Sequence, residues 1–492
     1  MEESIRTLEP KELWNKFADL NAVPRPSKKE DRVIEFMKQF GNRLGLDTKV
    51  DHIGNVVIKK PATPGMEDRK PVILQAHLDM VHQKNNNTNF DFDTQGIEMY
   101  IDGDWVRARG TTLGADNGLG VASIMAILES TEIPHPEIEG LFTVDEETGM
   151  TGAKGLEPGS LKGEILLNLD TEEDDEIGIG CAGGVDVTAT AQYPEKQTPR
   201  ESAAFRITLG GLRGGHSGMD ILKGLGNANK MMNRVLRGLF DTTGASVSSI
   251  EGGGLRNAIP RESESIVTVR NADLEVFLKT FDNIHQELQG EYGTLEPGLR
   301  ITCEETEVPQ KVMDQIAQQK LLQTISGTHN GVYRMSPEIE GLVEASNNLA
   351  KVTVGNGKIE IRCLTRSSVE SSKHDLAASL SAVFDLAEFQ VELSGDYPGW
   401  SPDRNSEVLQ VVDQLYQELH GERAQIAACH AGLECGIIGD HFPQLDMISF
   451  GPTIRGAHSP DERASISSAQ KYWNFLLKVL ENIPQRDRKK AA

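Results

Sequence analysis

The sequence predicts an α/β fold with a mostly parallel sheet, into which a second domain of α+β type is inserted. Over residues 1–184 short apolar runs alternate with helical periodicity, and over residues 185–398 alternating strands are interleaved with long helices. The first pattern returns over residues 399–492. Strands that alternate with helices are typical of a parallel sheet covered by helices. We therefore expect residues 1–184 and 399–492 to form one α/β domain and residues 185–398 to form an inserted domain.

The first part begins with two predicted helices, at residues 10–20 and 30–44, because apolar side chains recur three and four positions apart. Short apolar runs bounded by charge or glycine then predict buried strands. Residues 117–130 combine a polar start with an apolar stripe, which predicts a helix between the second and third of these strands. The predicted strands are residues 56–59, 72–76, 140–144 and 165–169.

The same patterns predict the elements of the inserted part and of the last part. The strand at residues 205–209 leads into a Gly-rich loop and is a candidate edge strand that a second chain could cover. In the last part, helices at 406–418 and 467–480 flank a buried strand at 447–450. In the inserted part the predicted strands are 205–209, 266–270 and 358–362, and the predicted helices are 222–240, 272–288 and 373–386.

Composition and charge limit the classes of function. The chain has 492 residues, and its 50 Lys and Arg against 74 Asp and Glu give a formal net charge of −24. Such an acidic protein repels phosphate backbones and anionic membranes, so we expect neither nucleic acid nor a membrane as its partner. No run approaches the roughly 20 apolar residues of a membrane span, and the N-terminal residues lack the basic and apolar regions of a secretory signal. The five cysteines form no CxxC pair, and we expect a reduced, cytoplasmic protein.

Histidines and carboxylates stand at the ends of the predicted strands and at the start of the predicted helix. In an open α/β sheet, ligands bind at the carboxyl ends of the strands. Each of these residues alone has an ordinary structural role, such as an Asp that caps a helix. Together, carboxylates at one buried edge repel one another unless a cation holds them. The residues are His77, Asp79, Asp116, Asp145, Glu146, Glu147, Asp170 and His458.

The chemistry of this set predicts a metal centre. Imidazole and carboxylate ligands without a thiolate suit zinc or manganese. The number of ligands fits two ions that share one carboxylate and lie about 3.5–4 Å apart. The adjacent Glu146 and Glu147 indicate divided roles, in which one binds metal and the other takes a proton. Asp79, two residues after His77, is suitably spaced to orient that histidine.

Five motifs resemble those of the co-catalytic zinc metallopeptidases related to carboxypeptidase G and aminoacylase, in the same order and with similar gaps. They are HLDM at 77–80, GADNG at 114–118, DEETG at 145–149, NLD at 168–170 and GAHSP at 456–460. Four further motifs are similar to those of the aminoacyl-histidine dipeptidase branch of this family. These are GCAGG at 180–184, GGHSGMD at 214–220, GGGLRNAIP at 252–260 and SSVES at 367–371.

The resemblance implies a ligand set for two divalent ions, which would be zinc, with manganese or cobalt as alternatives. Asp116 would bridge the ions, His77 and Asp170 would complete the shell of one, and Glu147 and His458 that of the other. In relatives the peptide bond after the bridging Asp is cis, so we expect a cis bond between Asp116 and Asn117.

The resemblance also implies catalytic residues. Glu146 corresponds to the general base and Asp79 to the acid that orients a metal ligand. The inserted domain resembles the family's lid, which also joins two chains into a homodimer. His216 corresponds to the histidine that holds the scissile carbonyl oxygen, in its own chain or in the partner's.

Three residues are implied to bind the substrate. Asn257 and Arg366 match positions that hold the substrate backbone and its C-terminal carboxylate, and Gly432 lies in a loop that lines the pocket. Two structural alternatives remain open. His216 and Asn257 stand in Gly-rich turns and could be turn formers, and Arg366 could make a surface ion pair.

These expectations describe a cytoplasmic dinuclear metallo-dipeptidase. It would hydrolyse unblocked dipeptides, including Xaa-His types such as β-alanyl-histidine, through a metal-bridged water that Glu146 deprotonates. One alternative is an N-acyl amino acid amidohydrolase that uses the same site, and another is a catalytically inactive binding protein with the same fold. A metal-dependent phosphoesterase is a third alternative, but the chain has no phosphate cradle of the P-loop type.

Overall fold

The computed structural model describes residues 4–486, and the chain divides into two compact units. The first unit comprises the residues up to Gly180, Trp400–Ala428 and those from Leu433 on, and the second comprises Cys181–Gly399 and Cys429–Gly432. The division expected from the sequence kept residues 399–492 together, whereas in the structure the short segment Cys429–Gly432 groups with the second unit.

The first unit is built on an eight-stranded sheet whose four central strands are parallel. Every residue of Val72–His77, Ile138–Thr143 and Ile165–Asn168 is buried, as expected for parallel strands covered on both faces. The α/β fold with a mostly parallel sheet is therefore confirmed, and antiparallel neighbours extend its parallel centre. In spatial order the strands are Asp47–Val50, Val56–Lys60, Ile138–Thr143, Val72–His77, Ile165–Asn168, Asp446–Ser449, Glu176–Cys181 and Gln425–Cys429.

A small four-stranded sheet in the first unit was not predicted, because its strands are short. Two of its strands, Ile454–Arg455 and Arg463–Ser465, form a hairpin whose loop carries His458. The other two are Met99–Asp102 and Trp105–Ala108.

Helices of the first unit follow the predicted pattern. Ala115–Glu129 is apolar on nearly all sides and almost completely buried, which is the position expected for such a helix. Ser465 caps Ile466–Glu481 by accepting a hydrogen bond from the Ser468 N–H. The helices are Ile5–Thr7 (3-10), Lys11–Asn21, Asp31–Arg43, Ala115–Glu129, Glu146–Gly149, Thr151–Lys154, Glu407–His420, Glu434–His441 and Ile466–Glu481.

The second unit contains a nine-stranded antiparallel sheet and helices that pack on it around an apolar cluster. Along the sheet the strands are Arg300–Thr306, Ser202–Gly210, Ser263–Arg270, Ser246–Gly253, Val343–Gly355, Lys358–Ser367, Gly183–Gln192 and Gln390–Tyr397, and Gly331–Met335 pairs with Val343–Gly355. A separate pair is Glu195–Gln197 with Lys311–Met313. The helices are Ile221–Lys223 (3-10), Ala228–Thr243, Asn271–Asp273 (3-10), Leu274–Tyr292, Gln315–Gly327 and Glu370–Leu386.

Two predictions for this unit are wrong. The helix expected from residue 222 begins only at Ala228, because Gly224 has φ +67° and Asn227 caps the helix with its side chain. The predicted edge strand, Ser202–Gly210, pairs on both sides, and Arg300–Thr306 lies at the edge instead. Sequence periodicity reports that a strand exists but not which strands lie beside it. Among the residues described, no helix combines the length and apolar character that a membrane span requires.

Candidate active site

The predicted metal ligands come from the carboxyl ends of the central strands and from two loops. His77 ends Val72–His77, and Asp170 lies two residues after Ile165–Asn168. Glu147 lies in the short helix that follows Ile138–Thr143. Asp116 starts the buried helix Ala115–Glu129, and His458 lies in the hairpin loop of the small sheet.

The carboxylate of Asp116 stands between the two histidines. Its Oδ1 lies 3.1 Å from His77 Nε2, and its Oδ2 lies 3.1 Å from His458 Nε2. Asp170 Oδ1 is 3.5 Å from His77 Nε2, and Glu147 Oε2 is 3.0 Å from His458 Nε2. The five residues therefore form two groups that share Asp116, and the ligand atoms within each group lie within 4.8 Å of one another. A carboxylate that faces two ligand groups has the arrangement of a bridging ligand.

The chain around Asp116 adopts the expected geometry. The Asp116–Asn117 peptide bond is cis. The Asn117 side-chain amide donates to the Leu169 carbonyl over 3.0 Å and to the Asp170 carboxylate. The start of this helix is thereby tied to the end of the neighbouring strand, which holds Asp116 and Asp170 together.

Asp79 connects one metal-ligand segment to the next. It is fully buried, and its carboxylate accepts hydrogen bonds from the Glu146 N–H (3.0 Å), the Glu147 N–H (3.3 Å) and the Ser27 hydroxyl (2.8 Å). Its Oδ1 also lies 3.4 Å from His77 Nδ1. Burial opposes a charge here, but the contacts with His77 and Ser27 lower the pKa of Asp79. Asp79 thus orients the imidazole of His77 and the backbone of the two glutamates.

Glu146 and Glu147 differ in their surroundings. Burial raises the pKa of both residues, and the nearby carboxylates of Asp170 and Glu434 help to raise that of Glu146 well above its usual range. Glu147 in addition contacts His458. A carboxylate with a raised pKa is suited to take a proton near neutral pH. The contact with His458 distinguishes Glu147 from Glu146, and their roles as ligand and base stay a prediction.

The residues present fit divalent cations. Burial opposes the charge of His77, but Asp170, Asp116 and Asp79 raise its pKa well above the usual range, and contacts with Asp116 and Glu147 raise the pKa of His458 to about 11. Glu147 Oε1 is buried and has no hydrogen-bond partner within residues 4–486. Such an orphaned oxygen, in a set of carboxylate and imidazole donors without thiolate, matches the ligand preferences of zinc and manganese.

Arg25 was not anticipated as part of the site. It is buried, and its guanidinium donates to the Leu78 carbonyl (3.0 Å), the Asp79 carbonyl (3.2 Å) and the Gly114 carbonyl (2.6 Å). A Cβ at Gly114 or Gly118 would lie 2.6 Å from its Nη2, so both glycines of the GADNG motif make room for Arg25. Burial lowers its pKa to about 10, against the opposing effect of neighbouring carboxylates. Arg25 therefore stays charged near neutral pH and ties the residues directly after His77 to the start of the helix that carries Asp116.

Glu462 was missed as well. Its buried carboxylate accepts four backbone N–H groups from consecutive residues, at 2.7 Å (Leu113), 3.0 Å (Gly114), 2.8 Å (Ala115) and 3.3 Å (Asp116). Burial raises its pKa to about 7, and these hydrogen bonds act in the opposite direction. Its position four residues after His458 is the only sequence signal that could have indicated it.

The remaining predicted residues belong to the second unit. The Nδ1 atom of His216 accepts hydrogen bonds from the Gly218 N–H (3.2 Å) and the Met219 N–H (3.1 Å), so in the neutral ring the proton is on Nε2. Burial and the charge of Arg366 lower its pKa to about 4. His216 is therefore a neutral Nε2–H donor over the physiological pH range, besides its role in the turn.

Asn257 lies on a segment that contacts the His216 turn, and Gly432 lies on a segment that contacts Ala182. The carbonyl of Asn257 accepts the Ser217 N–H over 2.8 Å, and His216 forms a β-bridge with Ala258. Gly432 ends the segment Cys429–Gly432, which accepts the Ala182 N–H.

Arg366 is buried in the sheet of the second unit. Its side chain contacts Tyr397 and Ser217, and the alternative of a surface ion pair is wrong.

Residues 73–482 match the model of Peptidase family M20/M25/M40. The chain belongs to this family. As a member of the M20/M25/M40 peptidases, it is a hydrolase that acts on peptide bonds.

Individual relatives agree with this membership. The chain is 43% identical over 483 residues to the cytosol non-specific dipeptidase of Escherichia coli (strain K12), covering 98% of this chain and 99% of that protein. Its structure is similar to the crystal structure of aminoacylhistidine dipeptidase from Vibrio alginolyticus, with a TM-score of 0.91, 44% identity and 99% coverage of both chains. An aminopeptidase from Bacillus cereus has a TM-score of 0.56 at 16% identity, covers 97% of this chain and 99% of that one, and shares the fold.

Replacement of Asp116 and of Glu146 in this M20 peptidase should separate metal binding from proton transfer. Asp116→Ala should lose bound metal, because one carboxylate serves both ligand groups. Glu146→Ala should keep its metal and lose about 10²–10⁴ in kcat, as expected for a general base. Metal content by elemental analysis and kcat of the same preparations measure both effects. If Glu146→Ala empties the site while Glu147→Ala leaves it full, the two roles are reversed.

Glu462→Gln should weaken metal binding without removing a ligand. The amide nitrogen of Gln cannot accept, so two of the four backbone N–H groups at residues 113–116 lose their acceptor, at about 1–3 kcal/mol each. We expect a lower melting temperature and faster metal loss to a chelator. The control is Glu481→Gln, which removes a charge from a surface pair with Lys478. Equal metal retention in both variants would contradict this role of Glu462.

Proposed function

We propose that this protein is a cytoplasmic metallo-dipeptidase that hydrolyses unblocked dipeptides, including Xaa-His types such as β-alanyl-histidine. The observation that carries the proposal is the carboxylate of Asp116, which faces a histidine and carboxylate group on each side. The chain is 43% identical, over 98% of its length, to a cytosol non-specific dipeptidase, and this similarity supports the substrate class and the cytoplasmic location.

The proposed cofactor is a pair of divalent ions, most suitably zinc. His77, Asp170 and Asp116 would hold one ion, and Glu147, His458 and Asp116 the other. When bound, the ions would polarise the peptide carbonyl and lower the pKa of a water molecule.

The chain's own residues supply the remaining chemistry. Glu146 takes a proton from the attacking water and delivers it to the leaving amine. Asp79 keeps His77 and the Glu146 backbone in place. His216 donates its Nε2–H to the developing oxyanion, a role for which a neutral imidazole with a fixed tautomer is suited.

We assign the binding of the substrate to the second unit, which we propose as the lid. Arg366 would hold the C-terminal carboxylate, Asn257 the peptide backbone, and Gly432 would line the pocket. This unit is also the proposed homodimer contact, with its outermost strand Arg300–Thr306 as a candidate surface.

A substrate panel tests the dipeptidase function. Chelation should abolish hydrolysis, and Zn²⁺, Mn²⁺ or Co²⁺ should restore it. Free dipeptides should be cleaved much faster than tripeptides, C-terminal amides and N-acetylated dipeptides. Arg366→Met should mainly raise KM for free dipeptides and narrow the gap to the amides, because the charge that holds the carboxylate is lost. A preference for the N-acetylated forms would instead indicate an amidohydrolase, and no turnover of any substrate a binding protein.

Mixing two inactive variants tests whether His216 acts on its own chain or on its partner. If it acts in trans, a heterodimer of His216→Ala with Glu146→Ala has one site with both groups intact and should regain up to half of the activity per site. If it acts in cis, every site lacks one group and mixing restores nothing. Light scattering and exchange of labelled subunits must accompany the assay, since chains that never exchange would also give no rescue.

A further inference from the structure

Arg366 is a buried cation without an acidic partner. The residue is 4% exposed, and no carboxylate in the described part of the chain lies within 4.0 Å of its guanidinium. Its hydrogen bonds go to two neutral oxygens, the Tyr397 hydroxyl from Nη1 at 2.8 Å and the Ser217 hydroxyl from Nε at 3.4 Å. A buried charge that is not paired within the protein is costly unless an anion reaches it.

Neighbouring histidines respond to this charge. Burial and then the charge of Arg366 lower the pKa of His430 to about 3 and that of His216 to about 4. His430 is buried, and its Nε2 lies 2.8 Å from the Ser346 hydroxyl. The surroundings of Arg366 therefore hold neutral groups, and its positive charge is left for a ligand.

Tyr397 reaches Arg366 across an intervening strand. Gly183–Gln192 lies between the strands of Arg366 and Tyr397, and both residues are in register with Gly184. A Cβ at Gly184 would lie 2.8 Å from the Tyr397 hydroxyl oxygen and 2.9 Å from two of its ring carbons. The missing side chain of Gly184, in the GCAGG motif, thus lets the Tyr397 ring cross the strand.

A register shift and the Lys373 side chain fix the backbone at Tyr397. The pairing of its strand shifts register between Ser394 and Tyr397, next to Gly395 with φ +59°, and such bulges redirect side chains. Lys373, fully buried, donates to the Tyr397 carbonyl over 2.7 Å and pairs with the Asp396 carboxylate at 2.7 Å. The position of the Tyr397 hydroxyl is therefore set by the sheet and by Lys373.

We propose that Tyr397 is a positioning residue, which holds the Arg366 guanidinium so that its free edge receives the α-carboxylate of an unblocked peptide. Tyr397 occupies one hydrogen of Nη1. The other Nη1 hydrogen and those of Nη2 have no partner in residues 4–486 and form the fork that binds a carboxylate through two hydrogen bonds. This inference rests on the proposed function, and it explains why peptides with a free C-terminus are the preferred substrates.

The test compares a free dipeptide with its C-terminal amide. Tyr397→Phe keeps the ring and removes the acceptor, so KM for the free dipeptide should rise about tenfold, the typical effect of one hydrogen bond to a charged group. We expect kcat for this substrate to stay within about twofold, and the amide to be cleaved as by the wild type. Gly184→Ala should also raise KM for the free dipeptide, because the added Cβ displaces the Tyr397 ring. KM of the double variant should be little higher than that of either single variant, since both changes break the same contact between Tyr397 and Arg366.

Tyr193→Phe is the matched control. Tyr193 is also buried in the second unit, and its hydroxyl has no hydrogen-bond partner in the described chain. This variant should leave KM and the free-to-amide preference unchanged.

Three results separate the possible failures. In the first, the wild type cleaves free dipeptides and Arg366→Met loses the preference for them over the amides, but folded Tyr397→Phe keeps this preference. The positioning role of Tyr397 is then overturned, while the proposed function stands. Equal loss of kcat for both substrates in Tyr397→Phe would indicate a structural role and would also overturn it. If the wild type cleaves no dipeptide, the proposed function itself fails.

Discussion

Negative charge crowded at the carboxyl edge of the eight-stranded sheet is the constraint on which the first unit depends. Asp79 is buried there, and the side chains of Asp116, Glu147 and Asp170 are at most 13% exposed. Glu146 lies with them and has a raised pKa. Like charges at such distances raise one another's pKa and oppose folding unless cations or N–H groups offset them.

The offsetting groups come from distant parts of the chain. His77 and His458 contact the carboxylates directly, and Arg25 adds a buried positive charge behind them. The same Arg25 accounts for Gly114 and Gly118, since a side chain at either position would collide with it. One electrostatic requirement therefore explains both the charged residues and the glycines of the motif that carries Asp116.

The second unit has the opposite electrostatic problem. Arg366 is buried without a carboxylate partner in the described residues, and the neighbouring imidazoles of His216 and His430 are neutral because of burial and of its charge. Neutral imidazoles can donate hydrogen bonds without competing for an incoming anion. The polar groups of this region are thus arranged to accept negative charge, whereas those of the first unit are arranged to accept positive charge.

The sequence by itself determined the fold class, the central strands and the candidate metal ligands, because these are local signals. A parallel strand buried on both faces has a continuous apolar sequence, and the residues that follow it lie at the edge of the sheet where ligands bind. This reasoning placed His77, Asp116, Glu147, Asp170 and His458 among the candidates, the motif resemblance implied that these five are the ligands, and the structure brings them together. Tertiary structure alone decided the contacts of Arg25 and Glu462, the true edge strand of the second unit and the alignment of Arg366, Gly184 and Tyr397. These contacts depend on which segments pack together, and the pattern of apolar and polar residues along the chain carries no information on that.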